Sequence, residues 1–476
     1  MSAPMNPRFS SALLAIVLLF TAAVNSFAQA ADNFSALEQR VQQLEAAANS
    51  TAPSPINSGD NAWMLVSCAL VLMMTAPGLI LFYGGLVRRK NVLGTMMHSL
   101  ILMAVMSLIW AVYGYSMAFG EGNAFFGNPL QYFFLKDVGT APNTDYAATI
   151  PHLTFMLFQM MFAIITPALI SGAVAERMKF SAYLIFMILW ITIVYFPLCH
   201  MVWGKGGLFN WALGGKIPVL DFAGGTVVHI SSGASALVCA LVLGKRAGFP
   251  REPMLPHNVV FSLIGTGLLW VGWFGFNAGS AVSAGELATS AFAATHFSAA
   301  AGALSWTLTE WFLKGRPSVL GAASGMVAGL ATITPASGFV TVQSAMLIGL
   351  AGGVVCYFAV TKLKQKFAYD DSLDVFGVHC MGSLVGMLML GLLASATVNP
   401  LIASTFKVDG QVVSLAGGFA QLKNQIIAVL VAALWGAGAS YVLLKIVGKM
   451  IGLRLDQEEE FAGVDLTEHG ESAYND

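Results

Sequence analysis

Charge is what this sequence has least of. Asp, Glu, Lys and Arg make up 10% of its 476 residues, while 57% are hydrophobic and the mean hydropathy is +0.73. A soluble globular protein carries about 25% charged residues. The shortage excludes an ordinary soluble enzyme and a disordered chain. Lys and Arg number 23 against 24 Asp and Glu, so no excess of positive charge would draw in nucleic acid. Cysteine is also scarce. Cys68, Cys199, Cys239, Cys356 and Cys380 lie singly in apolar runs with no CxxC pair, which reads as small buried hydrophobes rather than metal or redox chemistry. No nucleophile, metal or phosphate-loop motif occurs, and Gly224-Gly225 lies within an apolar run. No catalytic residue, metal or cofactor is therefore expected. A TVGYG-type potassium filter is absent as well. What remains is an all-α polytopic membrane protein, and its 49 Gly fit helices that pack closely in lipid.

The N-terminus reads as a leader. Met1 to Arg8 carries positive charge, Phe9 to Val24 is apolar, and Ala28-Gln29-Ala30 has the A-x-A form of a cleavage site. A first membrane helix is the alternative. Cleavage would leave the mature N-terminus outside the cytoplasm. Residues 31–60 are polar, yet Phe34, Leu37, Val41, Leu44 and Ala48 fall at spacings of 3 and 4. That stripe lasts about two heptads, short of the three or four of a sustained coiled coil. It fits either a surface helix or a short periplasmic bundle tying subunits together. Thr51 to Asn61 then forms a linker.

Crossing a bilayer takes roughly 20 apolar residues. Eleven runs qualify: 62–84, 93–119, 151–175, 180–203, 222–244, 257–279, 287–313, 318–336, 338–361, 373–397 and 419–448. Their connections alternate in basic residues. One set holds most of them, including Arg88, Arg89, Lys90, Arg177, Lys245, Arg246, Arg251, Lys362, Lys364, Lys366 and Arg454. The other holds only Arg40, Lys136, Lys205, Lys216, Lys407 and Lys423. By the positive-inside rule the first set is cytoplasmic. An outside N-terminus and an odd number of spans place the C-terminus inside, in agreement. The division expected is a cleaved leader 1–30, a periplasmic segment 31–60, a membrane domain 61–448 and a cytoplasmic tail 449–476. Two halves of five spans in opposite orientation, with one final helix, would follow the plan of many transporters. Asp221-Phe222-Ala-Gly-Gly-Thr-Val-Val-His229 and Asp374-Val-Phe376-Gly377-Val378-His379 echo each other at two run starts.

Those two His are six or seven residues inside their runs, about 9–10 Å deep at 1.5 Å per residue. Arriving from opposite sides, they flank the midplane with a gap between them. Contact would need a helix to begin below the surface. An ionisable group in a membrane is a functional candidate; a His hydrogen-bonded for packing is the alternative. Asp221 and Asp374 suit N-capping of the helices they precede, or electrostatic support of a passing cation. Phe158, Phe162, Trp203, Trp273, Phe274, Phe276 and Ser280 gather toward the outer end. They fit an interfacial aromatic belt, or a cation site of ring faces and a hydroxyl acceptor.

The sequence resembles the ammonium transporter (Amt/Mep/Rh) family, in its bacterial Amt branch. The matching strings run from about Ala62 to the tail: Phe82-Tyr83-Gly-Gly-Leu, Phe119-Gly-Glu121-Gly, Gly172-Ala-Val-Ala-Glu176-Arg177, His200-Met-Val-Trp203-Gly, Gly272-Trp273-Phe-Gly-Phe276-Asn277-Ala-Gly-Ser280, and the Asp221 to His229 and Asp374 to His379 segments. The resemblance implies a homotrimer of eleven-span subunits in the bacterial inner membrane, with one pore per subunit and an inverted five-plus-five repeat. It implies an ammonium recruitment site of Trp203, Phe162, Ser280 and Phe158, a gate of Phe162 and Phe276, and a pore pair of His229 and His379. Asp221 and Asp374 would act structurally or electrostatically, and Tyr195, Trp273 and Thr334 would line the path. Substrates would be ammonium or ammonia, with methylammonium as an analogue. In isolation the tail reads as acidic and flexible. The resemblance adds packing across subunits and a PII-family signal protein as partner. Uptake with net charge movement is expected; an electroneutral ammonia channel, or a sensor signalling through the tail, are the alternatives. Only about 28 residues follow the last run, which favours a plain transporter over a sensor.

Overall fold

The computed structural model describes residues 21, 29, 33–43 and 55–474. The chain divides into two units, Met1–Pro55 and Ile56–Asp476. In the first, residues 33–43 form helix α1, with Phe34, Leu37 and Val41 exposed. The leader, apart from residues 21 and 29, and residues 44–54 of the heptad and linker segment lie outside the described residues.

The second unit is a helical bundle. Nine of its helices among the described residues are long and apolar enough to cross a membrane. They are α2 (Ser58–Leu86), α3 (Arg89–Phe119), α4 (His152–Val174), α5 (Phe180–Trp203), α6 (Gly225–Leu243), α7 (Val259–Gly279), α10 (Val342–Phe367), α11 (Phe376–Leu393) and α12 (Phe419–Ile451). Two further helices, α8 (Glu286–Lys314) and α9 (Val319–Ile333), coincide with the remaining apolar runs. Nine of the eleven expected runs are thus long apolar helices among the described residues, and the other two coincide with α8 and α9. Helix α8 is long enough but rich in Ala, Ser and Thr. Helix α9 has 15 residues, about 22 Å at 1.5 Å per residue, short of the roughly 30 Å hydrocarbon core.

In lipid the backbone must satisfy its own hydrogen bonds, so helix starts are where the sequence supplies acceptors. Asn57 caps α2 through Gly59 and Asp60 N–H, and Asn258 caps α7 through Phe261 N–H. Ser318 and Thr341 do the same for α9 and α10. Helix α4 is the axis of the packing: 83% of its apolar window is buried, against 33% for α12 at the periphery. Arg88, Arg246 and Arg454 of the larger set are drawn together through Glu176, Asp370 and the tail at one end, the basic end. The opposite end carries longer loops, with a short hairpin of β1 (Lys407–Val408) and β2 (Gln411–Val412).

The tail is not a free strand, which corrects its reading as a flexible segment. Asp456 and Glu459 form a capping box that starts α13 (Gln457–Ala462), and α14 (Val464–His469) follows. Arg454 donates to the carbonyls of Leu243 (2.9 Å) and Lys245 (2.7 Å) and pairs with Glu460. Glu460 accepts from Ala247 N–H at 3.0 Å, and Asp465 accepts from Gly94 N–H at 2.8 Å. The acidic run is matched to backbone donors and basic side chains at the basic end of its own chain.

Candidate functional site

Helices α6 and α11 start late. The sequence places their beginnings at 222 and 373, but they begin at Gly225 and Phe376, each with a π-helical turn that carries the histidine. The approach to α6 is non-helical and buried: Leu220, Asp221 and Ala223 are each at most 3% exposed. Gly224, at φ 110°, makes a left-handed turn that a side chain would strain. Starting inside the protein closes the gap expected from linear arithmetic. His229 Nδ1 and His379 Nδ1 are 3.1 Å apart, with ring planes inclined by 11°. The close crossing depends on Gly233, one turn beyond His229, where a Cβ would lie 2.6 Å from Cys380 Cβ.

A direct Nδ1–Nδ1 hydrogen bond needs one nitrogen protonated and the other bare. If both rings are neutral, one then shows Nε2–H and the other a bare Nε2. His229 Nε2 finds no partner in the protein. The pair thus presents both a donor and an acceptor.

Three cavities matter here, and the second and third share Phe82, Val327 and His379 in their walls. The first, of about 220 Å³, opens at the end away from the basic cluster and is lined by Trp203, Phe162, Gln159, Ser280 and Asp145 among others. The second is almost wholly apolar, about 10 Å³, and is lined by Phe276, Trp273, His229 and His379. That is close to the least space that holds one water-sized molecule. The third, of about 60 Å³, is lined by His379, Asp374, Tyr83 and Trp306 on the basic side. Phe162 faces the first cavity and Phe276 the second, and their ring centroids are 4.2 Å apart with planes inclined by 32°. The two phenyl groups are the partition. His379 borders both the second and third cavities.

The structure brings most of the expected residues together. Trp203 packs edge-on to Phe162 at 5.9 Å and donates Nε1–H to the Asp221 carbonyl at 3.0 Å. Phe158 packs against Phe162 at 5.1 Å, behind the vestibule wall. Ser280 donates its hydroxyl to the Phe276 carbonyl at 2.8 Å, which leaves the oxygen's lone pairs able to accept. Trp273 donates to Thr334 Oγ1 at 2.9 Å and stacks near His229 at 5.6 Å. Thr334 therefore holds Trp273 rather than lining a cavity. Tyr195 is fully buried beside Phe196 and lines none of the three cavities.

The two aspartates do different things. Asp221 accepts from Gly224 N–H (2.8 Å), Gly225 N–H (2.6 Å), Thr226 N–H (2.7 Å) and the Thr226 hydroxyl. Its capacity is spent on the start of α6. Asp374 does not cap α11. It pairs with Lys364 at 2.6 Å, and Asp371 instead accepts from Phe376 N–H at 2.8 Å. Asp371 precedes His379 by eight residues, as Asp221 precedes His229. Each carboxylate reaches the N–H five residues on, so Asp371 rather than Asp374 is the structural counterpart of Asp221. Burial and the nearby Asp374 push the Asp371 carboxyl up to about 6, although Lys364 opposes them.

Two features were missed by sequence reasoning. Gln159 lines the vestibule between Phe155 and Phe162, and its Oε1 is buried without a protein partner. Its signal was present as the single amide in the apolar run 153–165. The other is an ion network at the basic end. Arg246 bonds Asp370 at 2.8 Å and Glu176 at 3.1 Å, and Arg88 bonds Glu176 at 2.8 Å. Burial alone would raise the carboxyl of Glu176, but Arg246 and Arg88 outweigh it and hold it below its ordinary value. Arg246 does the same for Asp370.

A helical membrane bundle enclosing a partitioned set of cavities defines a membrane transport protein. The comparisons agree. The Ammonium Transporter Family model matches residues 62–474. The chain is 46% identical over 418 residues to an ammonium transporter of Bacillus subtilis, covering 88% of this chain and 99% of that one. It is 48% identical over 438 residues to one from Mycobacterium tuberculosis, covering 88% and 91%. Among solved structures, Saccharomyces cerevisiae Mep2 superposes with a TM-score of 0.77 at 33% identity, covering 89% of this chain and 95% of that one. A structure described as "Sensor Amt Protein" superposes at 0.76 with 28% identity, covering 86% and 98%. The chain belongs to the ammonium transporter family.

Proposed function

We propose that this chain takes up ammonium by separating it into ammonia and a proton at the Phe162–Phe276 partition. The observation that carries this reading is the second cavity: apolar, sized for one small molecule, and bordered by a facing His pair. A bare cation entering such a space loses its hydration at a cost of several kcal/mol, on the order found for charges in hydrocarbon. Neutral ammonia loses far less. Potassium carries the same charge but has no proton to shed, so the dry step rejects it.

The vestibule supplies recruitment. Ring faces of Trp203 and Phe162 attract the cation, with Phe158 backing Phe162. Ser280 accepts one of its N–H bonds. Ammonia then passes the phenyl pair and meets an imidazole Nε2–H on one ring and a bare Nε2 on the other. Because the two rings share one Nδ1 proton, a proton taken up at the bare Nε2 can be released from the other ring's Nε2–H as the shared proton shifts across, leaving the two tautomers exchanged. Net charge then moves with the nitrogen. Tyr195, Trp273 and Thr334 support the path walls, and Asp221 and Asp374 hold helix starts and local charge.

The finer architecture follows the same reading. The chain would cross the bacterial inner membrane eleven times, α8 and α9 included, as two inverted halves and a final helix. Matching π-turns at His229 and His379 support the repeat. Residues 1–30 would be cleaved, the N-terminus would lie in the periplasm and the basic end in the cytoplasm. Subunits would assemble as a homotrimer, and a PII-family protein would meet the cytoplasmic face where the tail packs.

The test is current in liposomes containing the purified protein. Ammonium should give a saturable current and potassium none. Internal alkalinisation without current would replace relay with neutral ammonia conduction. No response of either kind would remove transport and favour the sensing alternative.

A further inference from the structure

Helix α12 carries two amides that its own backbone does not use. Buried polar side chains are costly in a membrane helix, yet Gln421 and Gln425 stand one turn apart on its buried face, 3% and 0% exposed. They lie toward the end away from the basic cluster. Neither caps α12, whose start at Gly418 has no side-chain cap. Their partners belong to another segment, the non-helical approach to α6.

That approach has no helix to supply its backbone bonds, and Val219, Leu220 and Asp221 are buried. Val219 N–H reaches the Phe209 carbonyl and Phe222 N–H the Pro335 carbonyl, each at 3.0 Å. Between them, Leu220 has both backbone groups served by one side chain. Gln425 Oε1 accepts from Leu220 N–H at 3.0 Å, and Gln425 Nε2 donates to the Leu220 carbonyl at 2.6 Å. The amide stands in for a neighbouring strand. Gln421 Nε2 steadies it, donating to Gln425 Oε1 at 3.0 Å and to the Pro218 carbonyl at 3.1 Å. A buried backbone group left unpaired is costly, so the Gln425 amide decides where Leu220 sits.

The next residue carries the consequence. The Asp221 carbonyl receives the Trp203 indole N–H at 3.0 Å, and Trp203 lines the vestibule with Phe162. The far end of the approach has anchors of its own: the Pro335 carbonyl, and the Asp221 carboxylate with its three N–H donors. Displacing Leu220 therefore shifts the indole more than it shifts His229. We propose that Gln425 is a positioning residue for the vestibule: by pairing with Leu220 it holds the Asp221 carbonyl where that carbonyl fixes Trp203. Gln425 lines none of the three cavities and acts only through these residues. The proposal rests on the reading that Trp203 helps recruit ammonium.

The experiment is ammonium current in liposomes holding Gln425→Met, a side chain of the same length that cannot serve both Leu220 groups. The apparent KM for ammonium should rise several-fold, with the limiting current per folded copy little changed. A merely structural glutamine gives the opposite split, since fewer folded copies lower the current and leave KM alone. That split, or an unchanged KM, would overturn the proposal. In a Trp203→Phe background, which lacks the indole N–H, Gln425→Met should add little; full additivity would also overturn the route through Trp203. If Gln425→Met does not reach the membrane, Gln421→Met decides. It keeps both Leu220 bonds but removes their support, so KM should rise by less, and an unmoved KM there would sink the idea. Wild type separates the two readings. No ammonium current from wild type removes recruitment itself, whereas a normal wild-type current with an unmoved KM in the variant removes only the role of Gln425.

Discussion

The vestibule shows how a single polar side chain acquires meaning from its surroundings. Gln159 Oε1 is an acceptor without a donor, buried beside Phe162 and Trp203. A hydrogen bond to a charged group contributes about 1.5–3 kcal/mol. Gln159→Leu should therefore raise the apparent KM for ammonium roughly tenfold to a hundredfold, with the limiting current little changed. An unaltered KM would mean the amide faces no substrate. Phe162→Ala should have the other signature. It opens the partition with Phe276, so water enters and discrimination against potassium weakens; selectivity measured by bi-ionic current would expose this, and an unchanged ratio would deny the partition its role. Most of this site was legible from residue strings, because the ring residues and His stand in ordered, spaced groups. Asp371 was not, because Asp374 offered a nearer match to the Phe-Gly-Val-His string. Only the hydrogen bond to Phe376 N–H reveals which carboxylate caps the helix.

At the scale of the helix, where each rod begins matters more than how long it is. Apolar runs located the helices within a few residues, since bilayer-length hydrophobicity is a strong signal. The late starts of α6 and α11 were hidden because Leu220, Ala223, Leu373 and Val375 are apolar whether helical or not. The start is set by buried carboxylates and by the backbone freedom of Gly224, not by hydropathy. Past those starts the two helices must also cross closely. Gly233→Val would insert atoms where a Cβ already falls 2.6 Å from Cys380 Cβ. Overpacking of this kind costs about 1–3 kcal/mol, and displacing His229 from His379 by about 1 Å should lower transport on the order of tenfold or more. Gly233→Ala should lie between this variant and wild type. Full activity in Gly233→Val at normal expression would show that the pair tolerates separation.

Across the whole molecule, the basic end behaves as one electrostatic unit that also fastens the tail. Glu176 and Asp370 have carboxyl groups held below their ordinary values once the arginines outweigh burial. The stability they add is present above the unfolded value of about 4 and is lost as pH falls through the lower folded values. Thermal unfolding in detergent should thus be insensitive to these groups from pH 7 to about 5 and fall steeply below about 4. Arg246→Ala should lose about 3–5 kcal/mol already at neutral pH, because it leaves two buried carboxylates short of a partner; a Tm equal to wild type would contradict that. None of this network could be read from the sequence, since its members come from four separate connections. The narrow middle cavity has a different consequence. On the path proposed above, a chamber with one seat would fix the traffic rule for the whole chain. Guests queue rather than mingle, and a crowded exterior shortens the wait without widening the lane. A slower amine lingering in that seat holds up every molecule behind it.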